Sequence, residues 1–468
     1  MNERVLLRKF ILFDIISSIL VWVSFLAFRK LINDFSLFGE ISYPMDASYY
    51  ILSFMIFPCV CLLVHYLTGF YQSPHLHTRI FNILSTFAAS AILSVSVFVF
   101  LKIGDVTVSL KYFYISMFVL FLLIMFISLS FRTLLANDIR QKFRTKQWTI
   151  NTLIIGTGDT ALKTSMELEK NSDKNTFIGF VGLARMVSNV PNDKIVGKLA
   201  NIDQIIKSHN IKEIIIAAED SMDEKTLYGI FNQLFKYNIT IQFTPRLHEI
   251  ITGSAKINQM GLIPLVSITN PTMSNWETSV KRSIDILFSS LSLLLLSPLL
   301  IYIMVKIRME SKGSSFYRQE RIGRLGKPFT IYKFRTMYQG AENGTPKLSS
   351  PNDDRITPTG RILRKYRMDE IPQFWNILKG DMSLVGPRPE RQFFIDKISS
   401  QAPYYCLLYR IRPGLTSWGP IKVGYTDTLE KMINRLNFDI IYLENMSLFT
   451  DVKILIYTIE ILFNGKGV

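Results

Sequence analysis

The chain has 468 residues, 49% of them hydrophobic, and Lys plus Arg exceed Asp plus Glu by 16. That length implies two to four domains, and a mean hydropathy of +0.23 argues against a wholly soluble protein. The positive excess suits anionic lipid or a phosphate-rich substrate rather than nucleic acid, for which no recognition-helix, finger or RNA-binding signature is present, and three cysteines supply neither a disulfide framework nor a readable zinc site.

Four segments near the N-terminus, roughly 10–28, 49–67, 80–101 and 112–131, are apolar enough to span, since about 20 residues cross a bilayer. The first contains Asp14 and lacks a small-residue cleavage site, so it reads as a retained anchor. Arg4, Arg8 and Lys9 precede it, Arg79 lies between the second and third segments, and Arg132, Arg140, Lys142, Arg144 and Lys146 follow the fourth. The loop at 34–46 has three acids and no base, although Arg29 and Lys30 stand at its start. The positive-inside rule then puts the N-terminus and the chain after the fourth span in the cytoplasm. His75 and His77 fall in a membrane-side loop and read as a solvated turn, not a metal site.

After this region (1–147) comes a soluble α/β pattern over 148–254. Apolar strands are expected at 152–155, 177–181, 213–217 and 240–244, alternating with helical stretches, which predicts a small parallel sheet. Gly156-Thr157-Gly158-Asp159-Thr160-Ala161 follows the first strand. Such a turn can hold a dinucleotide pyrophosphate at a helix N-terminus. No acid for a ribose hydroxyl ends the second strand, however, so tight helix packing is the plainer reason for the glycines.

A linker (255–277) leads to the C-terminal part, 278–468, which opens with the charge-free run 286–305, interrupted by Ser297-Pro298. Proline lacks an N–H and clashes with the carbonyl four residues back, so the helix should bend there, and Ser297 can satisfy a freed carbonyl. Lys281 and Arg282 before the run, with Lys306 and Arg308 after it, suit a re-entrant hairpin over about 281–306 whose ends share one side; the competing reading is a kinked span. At the far end, Leu448, Val452, Leu455 and Ile459 form a helical stripe that reads as core.

The chemistry concentrates in Met368-Asp369-Glu370-Ile371-Pro372-Gln373. Ile371, Phe374, Trp375 and Leu378 share a helical face, Gly380 suits the helix stop and Pro372 fits only a first turn, so the carboxylates should open a short helix. Adjacent residues diverge by about 100° on a helix, so one carboxylate can face a substrate while the other meets a metal or an arginine. A carboxylate needs no base to attack phosphorus or bind Mg²⁺. An isolated Asp-Glu pair would be read as a helix cap; the surrounding bases change that. Arg364, Lys365 and Arg367 precede the pair, Arg388 lies between two prolines, and Lys333 and Arg335 alternate with apolar residues as on one face of a strand. A guanidinium so held can grip phosphate with two hydrogen bonds. The chain has no Gly-x-Ser-x-Gly elbow, Walker loop or His-Glu-x-x-His helix.

On these residues 278–468 resemble the bacterial sugar transferase family, the polyprenyl-phosphate phosphoglycosyl transferases. The matching stretches include Lys281-Arg282-x-x-Asp285, Ser297-Pro298, Gln319-x-Arg321-x-Gly323-x-x-Gly326-Lys327 and Lys333-Phe334-Arg335-Thr336-Met337. Asp354-Arg355-Ile356-Thr357, Arg364, Asp369-Glu370-x-Pro372-Gln373, Gly380-Asp381-Met382-Ser383, Gly386-Pro387-Arg388-Pro389 and Arg412-Pro413-Gly414 continue it. The fold this implies is membrane α plus α/β: four transmembrane helices, a small Rossmann-like domain, and a mainly helical catalytic domain with a re-entrant hairpin. The resemblance implies transfer of sugar-1-phosphate from a nucleoside diphosphate sugar, expected to be a UDP-sugar, to undecaprenyl phosphate, with release of UMP, at the cytoplasmic face of a bacterial inner membrane. The product would start a surface polysaccharide or glycan. It also implies that Asp369 is the nucleophile of a covalent phosphosugar intermediate, that Asp369 and Glu370 bind Mg²⁺, that Arg388 clamps phosphate, and that Lys333, Arg335 and Arg364 contact phosphate. Ser417-Trp418-Gly419-Pro420 departs from the family's usual Gly-Trp-Ala-Gln, so the sugar is not read from that loop. A homodimer is left open. The competing functions are a membrane-anchored dinucleotide-binding sensor or scaffold, and a transporter, which would need more polar residues within its spans.

Overall fold

The computed structural model describes residues 3–34, 47–72, 77–104, 110–171, 174–183, 189–217, 222–245, 265–268, 273–341, 353–424 and 428–463. They form two compact units, Met1–Thr149 with Ser274–Val280, and Ile150–Met273 with Lys281–Val468. The acidic loop at 34–46, apart from Asp34, and His75 lie outside the described residues.

The first unit holds helices α1 (Glu3–Asp34), α2 (Ala47–Leu67), α3 (Arg79–Gly104) and α4 (Leu110–Arg144). Three contain stretches long and apolar enough to cross a membrane, Arg4–Leu31, Arg79–Val99 and Tyr114–Arg144. The apolar part of α2, Ile51–Leu67, is shorter and contains Pro58. Trp22 stacks on Phe57 with centroids 4.5 Å apart, in a core with Phe25, Cys61, Leu93 and Leu120. Buried Ser85, Ser90 and Ser94 donate to carbonyls of their own helix, which lets hydroxyls sit inside the bundle. Arg132 does not serve as a flanking surface charge, as the sequence suggests. It is buried, paired with Asp14 at 3.3 Å, donates to Thr86 Oγ1 at 2.8 Å and lies over the Phe70 ring. Tyr71 completes the set by donating to Asp14 Oδ2. A buried charge is tolerable when it is paired and hydrogen-bonded in this way.

In the second unit, β1 (Ile150–Ile155), β2 (Asn175–Gly182), β3 (Ile195–Lys198), β4 (Glu213–Ile216) and β5 (Thr240–Phe243) run parallel, and β6 (Val266–Ser267) is antiparallel to β5. The order is β3-β2-β1-β4-β5-β6, with α5 (Asp159–Asn171), α6 (Ile202–Ser208) and α7 (Glu224–Leu234) between strands. The four expected strands are β1, β2, β4 and β5. β3 escapes the sequence reading because none of its four residues is fully buried, and β6 turns two residues of the expected linker into a sheet edge. Of that linker, 255–264 and 269–272 lie outside the described residues. Leu153, Ile216 and Phe231 share one core with Phe394, Tyr405, Cys406 and Met432, so the sheet packs against the chain that follows.

That chain begins with α8 (Asn275–Leu295) and α9 (Ser297–Glu310), bent by 61°. Ser297 Oγ donates to the Leu294 carbonyl at 2.7 Å, at the break. Lys281 and Arg282 are not free flanking charges. Lys281 Nζ donates to the Val385 carbonyl and pairs with Asp451, while Arg282 donates to the carbonyls of Ile377 and Leu378. Asp285 accepts from Leu384 N at 3.0 Å. Next come the antiparallel hairpin β7 (Phe316–Ile322) and β8 (Pro328–Phe334), α10 (Pro358–Lys365), α11 (Gln373–Lys379) and β9 (Ser383–Val385). α12 (Gln392–Gln401), β10 (Gly414–Thr416, parallel to β9), α13 (Trp418–Val423), α14 (Leu429–Glu444) and α15 (Leu448–Phe463) follow.

The stripe expected to be core on α15 divides, with Leu455 packed against the core and the other half pointing outward. Val452 and Ile459 are 52% and 53% exposed, beside Phe449 at 78% and Ile456 at 60%. Asp451 and Ile454 face inward instead, Asp451 accepting from Lys281 and from the Tyr442 hydroxyl. Helical periodicity marks an apolar face but not what covers it, and next to a bilayer that face can point outward.

Candidate active site

The dyad sits on a short 3-10 turn, Met368–Glu370, between α10 and α11. Thr357 caps α10, its hydroxyl accepting from Gly360 N at 3.0 Å. Gly360 is required because a Cβ there would lie 2.2 Å from the Thr336 carbonyl oxygen. Arg367 enters the turn in the left-handed region, φ 53°, ψ 24°. A non-glycine residue held there costs roughly 1–3 kcal/mol and marks a place where surroundings dictate the backbone.

The helix after the dyad buries a different face from the one the apolar pattern suggests. Gln373, Asn376 and Ile377 are buried, whereas Trp375 is 57% exposed. The reason is Asn376. Its amide donates to the Thr330 carbonyl at 2.7 Å and accepts from Tyr332 N at 3.1 Å, so it completes β8 and fixes α11 on that strand. Gly380 ends the helix at φ 94°.

β8 delivers Lys333 to the dyad, with Nζ 2.7 Å from Glu370 Oε1. Arg367 Nη1 lies 3.8 Å from Glu370 Oε2, and Arg388 Nη1 lies 3.9 Å from Oε1. Three cations thus converge on Glu370, while among the described residues none pairs with Asp369. Burial pushes the Asp369 carboxyl above the ordinary carboxylate range; Lys333 opposes this and the neighbouring Glu370 adds to it. Burial acts on Glu370 as well, but Lys333, Arg388 and Arg367 outweigh it and hold that carboxyl low. The two acids are therefore split into a permanently ionised partner of cations and a more basic carboxylate beside it.

A cavity of about 610 Å³ opens over the dyad, within the size range of small-molecule sites. Its described lining includes eight arginines and Lys333 against three carboxylates, Asp369, Glu370 and Glu390. That imbalance suits a polyanionic ligand.

The expected residues are not all directed at the dyad. Lys333 and Arg388 are. Arg364 lines the cavity and donates from Nε to Thr336 Oγ1 at 2.9 Å. Arg335 follows the end of β8, and its guanidinium donates to the carbonyls of Ser311 and Lys312 and to Ser311 Oγ. It therefore caps α9, where a cation meets the negative helix end, while still lining the cavity. Among the described residues no group of three or more His, Cys, Asp or Glu side chains could hold a metal ion. Lys333 occupies Glu370 Oε1, whereas Oε2 has only a cation at 3.8 Å. Two carboxylates suffice for magnesium only where phosphates complete its ligands. Sequence reasoning gave no role to Asn376, Glu390 or Arg435. Glu390 could have been noticed as an acid directly after the second proline that flanks Arg388; nothing local marks the other two.

The Gly156 turn is explained by packing. Gly156 has φ 125°, and a Cβ there would sit 3.1 Å from the Ala217 carbonyl oxygen. Asp159, at the first position of α5, accepts from Asn189 Nδ2 at 3.0 Å.

A family profile described as bacterial sugar transferase matches residues 276–465, and one described as CoA-binding domain matches 66–245. The chain is 35% identical over 230 residues to a UDP-N-acetylgalactosamine-undecaprenyl-phosphate N-acetylgalactosaminephosphotransferase of Aeromonas hydrophila, covering 49% of this chain and 54% of that protein. It is 32% identical over 265 residues to the UDP-glucose:undecaprenyl-phosphate glucose-1-phosphate transferase of Escherichia coli K12, covering 56% of this chain and 57% of the relative. A protein of Caulobacter vibrioides with that same name is 41% identical over 181 residues, 38% of this chain and 68% of the relative. The chain spans about half the length of the first two relatives.

Proposed function

Because the chain belongs to the bacterial sugar transferase family, we propose that it moves sugar-1-phosphate from a UDP-sugar to undecaprenyl phosphate, starting a lipid-linked glycan. The observation that carries this reading is the split dyad, a buried basic Asp369 beside a Glu370 ringed by Lys333, Arg367 and Arg388, in an arginine-lined cavity.

In the first half-reaction an Asp369 carboxylate oxygen attacks the phosphorus that bears the sugar. The bond from that phosphorus to the bridging oxygen breaks, and UMP leaves with the oxygen and its electron pair. In the second, an oxygen of undecaprenyl phosphate attacks the same phosphorus and the Asp369 carboxylate departs, regenerated. No proton need move at neutral pH. Lys333, Arg367 and Arg388 stabilise charge on the phosphoryl oxygens while Glu370 holds those cations in register. Asp369 and Glu370, together with the diphosphate, would hold magnesium, which would supply further charge neutralisation. A screen of UDP-sugars with undecaprenyl phosphate, scored by UMP and lipid-linked product, tests the reading; UMP release from none of them sinks it.

The acid side of the pH–rate profile should follow Asp369. Its pKa is raised, so the attacking form is lost as pH falls through that elevated value, and kcat/KM should decline nearer neutrality than an ordinary aspartate would allow. Glu370→Gln removes a charge that raises Asp369, so it should move the limb to lower pH; a limb that stays put contradicts the pairing.

For the membrane, we take α1 to α4 as four spans and α8–α9 as a re-entrant hairpin, with the dyad on the cytoplasmic face of the inner membrane. The support is that both limbs return to one body: Lys281 and Arg282 bind carbonyls of 377–385, and Arg335 binds those of Ser311 and Lys312. The tip between them exposes Leu287, Leu294, Leu295 and Ile301. Cysteines placed at Ile284 and at Met309 should be labelled from the same side of the membrane. Labelling from opposite sides would turn the hairpin into a kinked span.

A further inference from the structure

We propose that Arg321, Glu390 and Arg435 form a buried positioning unit that sets where the Arg388 guanidinium points, a role that rests on the transferase reading above. Glu390 stands two residues after Arg388 and is 7% exposed. Arg321 Nη1 lies 3.3 Å from Glu390 Oε2 and donates to the Pro389 carbonyl at 3.1 Å. Arg435, from α14, donates to Glu390 Oε1. The backbone is held at the same place, with Ile322 N donating to the Glu390 carbonyl at 3.0 Å.

The other end of the loop is equally fixed. Gly386 N donates to the Thr416 carbonyl and Gly414 N to the Pro387 carbonyl, and a Cβ on Gly414 would lie 2.1 Å from Gly386 N. Between these anchors, prolines at 387 and 389 fix φ on both sides of Arg388. One turn beyond Arg435 on α14, Asp439 accepts from Gly419 N at 3.3 Å, and the Arg388 backbone favours its charged form. The loop thus has little freedom except the Arg388 side chain, which reaches Glu370.

An Arg–Glu–Arg triad is a weak source of stability, because desolvating three charges cancels much of their attraction. Its value here is geometric, since a misplacement of about 1 Å at a charge clamp can cost about 100-fold in rate. Each member also lines the cavity that opens over the dyad.

The test uses the full chain in lipid nanodiscs and a double-mutant cycle of Arg388→Ala and Arg435→Met. UMP release gives kcat/KM, and amide exchange of the 386–391 segment is followed by mass spectrometry. Arg435→Met should lower kcat/KM by about 10- to 100-fold in the native background. It should cost less than about threefold once Arg388 is already alanine, because the two effects share one route. Exchange in 386–391 should accelerate. Effects that multiply in both backgrounds, or exchange that does not change, overturn the proposal. Should the single variant fail to fold, Arg321→Met with Glu390→Leu removes one charge of each sign, leaves Arg435 facing Asp439, and should fold while losing the same activity and loop protection. A native protein that releases no UMP defeats the transferase reading, and the exchange measurement still decides whether the triad fixes the loop.

Discussion

Asp369→Asn is expected to lower turnover by at least about 10³-fold while leaving the fold and the affinity for the UDP-sugar close to native. The two side chains have the same shape, and the substitution removes a carboxylate that is already penalised by burial, so thermal stability should hold or rise slightly. The loss falls on the chemical step because an amide oxygen cannot form the acyl phosphate. Lys333, Arg367 and Arg388 remain on Glu370 and continue to receive the diphosphate. Turnover within tenfold of native would remove Asp369 from the reaction, whatever the stability.

Arg388→Ala should cost about 10²-fold in kcat/KM, the usual scale for deleting one preorganised charge-stabilising group. The change should appear in both KM and kcat, since the guanidinium meets the phosphates on binding and again as charge shifts towards the leaving oxygen. Arg388→Lys should recover only a minor part, because an ammonium cannot reproduce two parallel hydrogen bonds from a fixed plane. Arg335→Ala offers the contrast. Its donors end on Ser311 and Lys312, so its effect should be on folding and membrane insertion, with catalysis per folded molecule little changed. Steady-state kinetics normalised to folded protein distinguishes the two arginines.

Much of the site was legible because its chemistry lies in contiguous residues. Asp369 and Glu370 are adjacent, and Arg388 is flanked by prolines, so residue type and spacing point to a phosphate site without any knowledge of packing. Lys333 and Arg335 show where this reasoning ends. Their alternation is real, but β8 stops at Phe334, and the next residue turns towards the end of α9. Residues that act through tertiary placement were not legible. Asn376 looks like a polar position on a surface helix, yet it meets β8 across 44 and 46 residues of sequence. Arg435 meets Glu390 across 45 residues, and Arg132 meets Asp14 across 118. Each charge looked solvated until its partner was known.

The fold shows the same division. The strands β1, β2, β4 and β5 are marked by apolar runs with buried residues, while β3 has no buried residue and β6 has only two residues. The apolar stripe of α15 was visible, but its direction was not. Asp451 decides it, because a carboxylate paired with Lys281 and bonded to Tyr442 must face the body, which turns Val452 and Ile459 outward.

The most direct measurement is a single-turnover experiment without the lipid acceptor. Purified protein mixed with the accepted UDP-sugar should release about one UMP per active site in a burst. The peptide carrying Asp369 should then gain the mass of one sugar phosphate, and adding undecaprenyl phosphate should discharge it. UMP release that depends strictly on undecaprenyl phosphate, with no sugar phosphate ever found on the protein, would contradict the account and point to direct transfer between the two substrates.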